Sequence, residues 1–283
     1  MHETTPKVFL IARPAIDVTG LRGYLESVGG QSWLDMRLDE GAAGDSTAAA
    51  APGEGDAGTA GADSAPTPGE VLVEFAGRTC YRSWEPGLNP NVTRIRTERR
   101  AYFANILSSG HGSVIEHANY TFALRNVSRV ATHEIVRHRA GSAFSQESLR
   151  YVRLTDIGFR VPPALGPLRE RVLAIVEQLE ELQREGASKL GIDADGVPFH
   201  VKKEVTSALR RLAPIGLSTD IIWTANLRTL RHVIEMRTDP GAEEELRLIF
   251  DQVARIMLAE APNVLQDFAV RDDGSWVPEH HKV

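Results

Sequence analysis

Apolar positions divide the chain into periodic stretches separated by one long polar interruption. Residues 7–12, KVFLIA, read as a strand, and over 17–28 Leu21, Tyr24, Leu25 and Val28 fall on one helical face. Residues 41–69 then contain no Val, Ile, Leu, Met or aromatic residue, only Ala, Gly, Asp, Glu, Ser, Thr and Pro. Such a segment buries too little apolar surface to offset the entropy of ordering it, so a disordered surface insertion is expected there. Periodicity resumes at Glu70, where Val71, Leu72, Phe75 and Ala76 predict a helix. A second helix is expected over 97–107, stopped by the turn at Ser109-Gly110.

From His111 to Leu124 the string HGSVIEHANYTFAL reads as a polar loop entering a strand around 120–124. Asn126 or Ser128 can cap a following helix with Val127, Val130, Ala131 and Ile135 on its apolar side. That helix delivers Arg137, His138 and Arg139 at its C-terminal end, where cations also complement the helix dipole. After Pro162-Pro163, a long amphipathic helix is expected over 168–190, with Val172, Ile175, Leu179 and Leu182 as its core stripe. A helix over 202–212 ends at Pro214 and brings Arg210 and Arg211 close to its terminus. Residues 221–237 pass from a strand into a helix, and a last helix over 242–261 buries Leu246, Ile249, Phe250, Val253 and Met257. The tail from Asp272, with His280 and His281, is expected at the surface. On the 221–237 helix, Arg228 and His232 share one side, while Asn226 and Arg237 project from nearly the opposite one. Ligands on both sides are easiest to place if sites form between subunits.

Length and charge narrow the function. A chain of 283 residues can bury a sizeable core as one large domain or two small ones. Its net charge of -6 argues against a polynucleotide, whose binding is driven by counterion release to a basic surface, and suits a basic pocket for a small anion. One cysteine, Cys80, excludes an internal disulfide, and no cysteine cluster suggests a metal. His111, Glu116 and His117 lack the further ligands of a zinc site, so no metal is expected. His133-Glu134 resembles a zinc-protease start, but His138 lies five residues after His133, about 140° away around the axis, and the motif fails. No apolar run approaches a signal peptide or a membrane span, and the expected compartment is cytoplasmic.

The chemistry concentrates in RHRAGSAFSQESLRY, residues 137–151. Arg137, His138, Arg139, Ser142, Ser145, Gln146, Ser148 and Arg150 give it a density of donors that suits a phosphorylated, hydrogen-bonding ligand; the alternative is a solvated basic turn. RHR, eight residues, and then Ser148-Leu149-Arg150-Tyr151 resembles the signature of the flavin-dependent thymidylate synthases. Three further islands are similar in the same order: AGRTCYRS around Cys80, HGSVIEHANYTF, and LRRLAP followed by TANLRTLRHVIEMR.

The resemblance implies an α+β fold, a central antiparallel sheet flanked by helices, in a single catalytic domain over 1–283 interrupted at 41–69. It also implies a homotetramer with active sites between subunits. The implied reaction is reductive methylation of dUMP to dTMP, with 5,10-methylenetetrahydrofolate as carbon donor, FAD as redox carrier and NADPH as reductant. No enzyme cysteine is needed, so Cys80 is expected to be a buried small hydrophobe.

By the same resemblance, Arg137, His138 and Arg139 would hold FAD with Ser113, Glu116, Gln146, Asn226, Arg228 and His232. Ser148 and Arg150 would bind dUMP together with Arg137, Gln146, Glu147 and Leu149, with Glu134 at the base end and Arg210 reaching in from another subunit. Arg237 would favour the ionised N3 of the uracil, and His111 would lie near the folate or the methylene transfer; with Ser148 these are the candidate catalytic residues. Two departures stand out: many relatives carry glutamine at the position of Glu134, and Asp239-Pro240-Gly241 replaces a histidine-containing segment after Arg237. The rival readings are a non-catalytic flavin- or nucleotide-binding homologue and an RNA-binding module. The acidic charge and the lack of aromatic residues interleaved with the arginines count against the latter.

Overall fold

The structure, a computed structural model, describes residues 1–41 and 65–283. Its first half comprises β1 (His2–Glu3), β2 (Lys7–Ala12), α1 (Val18–Val28), α2 (Gln31–Asp39), α3 (Pro68–Tyr81), α4 (Arg99–Ser108), α5 (Gly112–Ile115), β3 (Asn119–Ser128), α6 (Arg129–Ile135) and β4 (Ser142–Gln146). Then follow β5 (Gly158–Phe159), α7 (Arg169–Lys189), α8 (Phe199–Leu209), β6 (Ser218–Asn226), α9 (Leu227–Thr238), α10 (Glu244–Glu260), β7 (Phe268–Val270) and β8 (Trp276–Pro278). The chain is thus a mixture of helix and sheet.

The centre is an antiparallel sheet of four strands in the order β2-β3-β6-β4. On β3, Tyr120, Phe122 and Leu124 alternate into the core, and on β6 Ile221, Trp223 and Ala225 do the same. Phe122 pairs with Trp223 across the strands, and Trp223 meets Phe250 of α10 edge to face, which seats α10 on this face of the sheet. Leu246, Ile249, Phe250, Val253 and Met257 are all fully buried, as the spacing predicts. Strand β6 runs directly into α9, with Asn226 as both the last strand residue and the N-cap. This junction positions the candidate site.

Several expectations are corrected. The insertion expected over 41–69 lies outside the described residues from 42 to 64, but its end is helical: Thr67 caps α3, Pro68 occupies the first turn, and Gly69 is buried against Tyr120. Gly112–Ile115 forms a short helix rather than loop, and β3 runs on to Ser128 through a bulge at which Asn126 has φ 57°. Cys80 is exposed, because α3 turns its other side inward to bury Gly77 and Arg78. On α7, Ile175 and Leu182 are exposed, and the buried face is Val176, Glu180, Gln183 and Ala187. Polar partners explain the rotation: the Glu180 carboxylate takes the Met1 ammonium and the Ile157 N–H, and Gln183 Nε2 donates to the Leu209 carbonyl at 2.9 Å.

The tail is no surface appendage. Trp276 is 2% exposed, β8 pairs with β7, and Arg231 grips Asp267 bidentately while donating to the His280 carbonyl. His281 bonds Glu235 at 2.5 Å, and the chain ends against Gly112 and Arg228. Among the described residues no helix is long and apolar enough to cross a membrane, and no group of three or more His, Cys, Asp or Glu is placed to hold a metal ion.

Candidate active site

The RHR turn owes its position to how α6 begins and ends. Ser128 Oγ accepts from the Ala131 N–H and itself donates to Glu245, so the start of α6 is pinned to α10. The helix stops at Ile135, and His138 N–H bonds back to its carbonyl at 3.1 Å, leaving Arg137, His138 and Arg139 in the tight turn before β4. A latch then ties this turn to α9. Asn226 N–H donates to the Gly141 carbonyl at 3.0 Å, and Thr229 Oγ1 to the Ala140 carbonyl at 2.7 Å.

Between turn and helix lies a cavity of about 500 Å³ lined by Arg137, His138, Arg139, Asn226, Arg228 and His232, with Glu116 at its far edge. Seven of the predicted cofactor residues therefore meet in one place. The expectation that Asn226 projects away from Arg228 and His232 is wrong, because Asn226 precedes the helix: its Oδ1 caps the Thr229 N–H at 2.8 Å, and helical angles do not apply to it. Arg137 and Arg139 are exposed and form no ion pair with any described residue, whereas Arg228 bonds Glu116 at 2.6 Å and the Val283 carbonyl at 2.8 Å. Sequence reasoning missed Gly141 and Thr229. Their signals were a glycine just after RHRA and a threonine three residues after a capping asparagine.

Arg237, in the last turn of α9, reaches back to this turn. Its Nε donates to His138 Nε2 at 2.9 Å and its Nη1 to Glu134 Oε2 at 2.7 Å. Burial together with the Arg237 charge and neighbouring His232 pushes His138 down to about 4. The imidazole is thus neutral at pH 7 with its lone pair on Nε2 toward Arg237, and the proton on Nδ1 remains to be donated. Between pH 6.5 and 4 the unfolded chain binds a proton that the folded site refuses. The contribution of His138 to stability is therefore complete above pH 6.5 and falls as pH drops through that window. An NMR titration is expected to show the His138 ring unprotonated at pH 5.5, where an ordinary histidine is mostly charged.

The remaining predicted residues form two other groups. Beyond β4, Gln146 Nε2 donates to Thr132 Oγ1 at 3.0 Å, the Glu147 carboxylate accepts from Asp220 N–H at 3.1 Å, and Ser148 Oγ accepts from Arg150 N–H at 3.4 Å. Leu149 packs into the small apolar cluster around Ile157 and Phe159, near Arg210. Arg150 opens onto a separate groove with Lys203 and Arg211. Within one chain, then, Ser148, Arg150 and Arg210 do not face the RHR cavity. His111 lies at a third place, edge to face with Tyr81 at 5.8 Å, and Ser113 follows it in α5. Asp239-Pro240-Gly241 simply closes α9: Asp239 Oδ1 accepts from the Gly241 N–H at 2.8 Å as the chain turns into α10.

The sequence is similar to known proteins along most of its length. The family profile described as thymidylate synthase complementing protein matches residues 64–263. A protein of Mycobacterium marinum named flavin-dependent thymidylate synthase is 38% identical over 216 residues, which is 74% of this chain and 84% of that protein. Its namesake in Corynebacterium diphtheriae is 36% identical over 222 residues, 75% of this chain and 85% of that one. That of Mycobacteroides abscessus is 37% identical over 217 residues, covering 74% and 84%.

Proposed function

The chain belongs to the flavin-dependent thymidylate synthase family, and on that premise we propose that it converts dUMP to dTMP by reductive methylation, with 5,10-methylenetetrahydrofolate as carbon donor and FAD reduced by NADPH. The observation that carries this reading is the RHR turn latched to the start of α9, with Arg237 fixed against His138.

The donor set fits a flavin dinucleotide. Arg137 and Arg139, which form no ion pair with any described residue, offer guanidinium forks to a diphosphate, while Asn226, Thr229 and the His138 Nδ1–H suit the polar edge of the ring system. The cradle depends on Gly141, whose φ is 65°, and a Cβ there would collide with Asn226 Nδ2 and Thr229 Oγ1. Gly141→Ala is expected to purify with a flavin-to-protein absorbance ratio several-fold below that of the wild type, at little cost in secondary structure by circular dichroism.

FAD, when bound, supplies a hydride to the pyrimidine, so the folate leaves as tetrahydrofolate. Arg237 holds a fixed positive charge for the ionised N3 of the uracil, and Glu134 orients that guanidinium by accepting from its Nη1. Ser148, Arg150 and Arg210 bind dUMP from a second subunit, which accounts for their separation from the RHR cavity of their own chain. Uncovered apolar residues support a homotetramer: Phe9, Ile11 and Ile222 on the outer face of the sheet, and Ile175 and Leu182 along α7 with Leu168 just before it. The cytoplasm is the proposed compartment.

The test is the visible spectrum of the anaerobic, flavin-loaded protein. NADPH should bleach it, and only dUMP and methylenetetrahydrofolate together should restore it, with dTMP formed. Bound flavin that NADPH bleaches but the two substrates leave bleached would favour the non-catalytic homologue.

A further inference from the structure

We propose that the cavity beside His111 holds the p-aminobenzoyl-glutamate arm of the folate, with Arg94 and Arg96 on its carboxylates. The proposal rests on the reading of the chain as a thymidylate synthase and deepens it.

The cavity, about 250 Å³, lies between α3, α4 and the irregular segment 82–98 that joins them. It is smaller than the roughly 300–1,000 Å³ that enclose a whole ligand, so it suits one arm of a longer molecule. Position supports the same view. His111 borders this cavity and is followed directly by the four residues of α5 and then by Glu116, which borders the RHR cavity through Arg228. Gly112, the residue after His111, lies directly against Arg228 of the RHR cavity, so the two cavities are neighbours.

Its walls are mixed in character. Val92, Ile95, Ile106 and the Tyr102 ring contribute apolar lining, while three arginines supply the charge. Arg78 is not available to a ligand: its Nε is held by Glu74 Oε1 at 2.7 Å, its Nη1 by the Ser83 carbonyl at 2.8 Å and its Nη2 by the Arg96 carbonyl at 2.6 Å. These last two bonds fold the segment so that Arg94 and Arg96 border the opening. Neither of their side chains has a hydrogen bond or an ion pair among the described residues. The nearby carboxylates are engaged elsewhere: Glu74 with Arg37 and Arg78, Glu98 in capping α4, and Glu85 with Ser32.

Two uncompensated guanidiniums in a cavity with apolar lining call for a ligand that joins a flat apolar group to carboxylates. The aminobenzoyl ring followed by glutamate has that order of groups. A dinucleotide phosphate would use the arginines and leave the apolar lining without a partner.

The experiment compares folates carrying one and three glutamates on wild type and on the Arg94→Gln/Arg96→Gln double variant. Binding of tetrahydrofolate is read directly by calorimetry, and KM for methylenetetrahydrofolate in turnover. Wild type should prefer the triglutamate, and the double variant should lose about tenfold in folate affinity together with that preference, with dUMP KM and flavin content as in the wild type. Arg94→Lys/Arg96→Lys should restore part of the loss, which a variant that merely misfolds would not. A rise in the KM for NADPH with folate binding unchanged would reassign the cavity to the dinucleotide, and no change in either would remove it as a ligand site. If wild type forms dTMP and these results fail, only the arm assignment falls; if wild type forms no dTMP, the functional reading falls first.

Discussion

Arg237→Ala is expected to lower kcat for thymidylate formation by about 10²–10³-fold, the usual loss when a preorganised group that stabilises developing negative charge is removed. The geometry explains why so large an effect should come from one side chain. Arg237 is only 14% exposed, and bonds to His138 and Glu134 fix its fork before any ligand arrives. Its charge is therefore delivered without reorganisation during the reaction. Lysine at this position is expected to rescue little, because one ammonium nitrogen lacks the planar fork whose separate nitrogens reach His138 and Glu134 together and still face the pyrimidine. A second readout separates this role from a merely structural one. Without the Arg237 charge, the His138 pKa should rise from about 4 toward 6.5 while flavin remains bound. Turnover near the wild-type rate in single-turnover experiments would place the developing charge elsewhere.

Glu74→Ala is expected to cost about 3–5 kcal/mol of stability, the range for breaking a buried ion pair by removing one partner. Glu74, Arg37 and Arg78 are each 1% exposed, and the carboxylate accepts from Arg37 Nε and Nη2, from Arg78 Nε and from Trp33 Nε1. The network runs on from Arg37 to Glu40 and Arg99 at the surface. Burial alone would raise the Glu74 pKa, but the hydrogen bonds and charges of the two arginines outweigh it and hold it below the usual carboxylate value of 4.5. The resulting stability is complete above pH 4.5 and is lost as pH falls through the lowered pKa. Urea unfolding checks both points: the midpoint of Glu74→Ala should fall sharply at neutral pH, and the difference from wild type should narrow in acid. A loss below about 1 kcal/mol would mean that the arginines find water instead. Because Arg78 also shapes segment 82–98, this variant should weaken folate binding too.

Where local pattern and tertiary environment agree, the sequence was sufficient. Strand β6 running into α9, the core stripe of α10, the Ser128 cap and the delivery of Arg137 to Arg139 at the end of α6 all follow from spacing and capping chemistry. It misled where distant groups decide orientation. The inward face of α7 is set by Glu180 and Gln183, whose partners lie at Met1, Ile157 and Leu209, so an apolar stripe around Ile175 and Leu182 predicted the wrong side. The closure of the tail depends on Arg231, which reads as one more charge on a helix until Asp267 and the His280 carbonyl are placed beside it. The site divides in the same way. The signature located the RHR turn that lines one cavity, while the separation of Arg150 and Arg210 from it, and the cavity beside His111, needed coordinates.

Under the proposed function, reduced flavin, and not the folate, gives the hydride. The most direct test is the identity of the folate product when flavin-loaded protein turns over dUMP and methylenetetrahydrofolate with NADPH under anaerobic conditions. Tetrahydrofolate is expected in amounts equal to dTMP, with NADPH consumed in step and no dihydrofolate. Dihydrofolate accumulating with dTMP, or dTMP formed without consumption of NADPH, would contradict the proposed function.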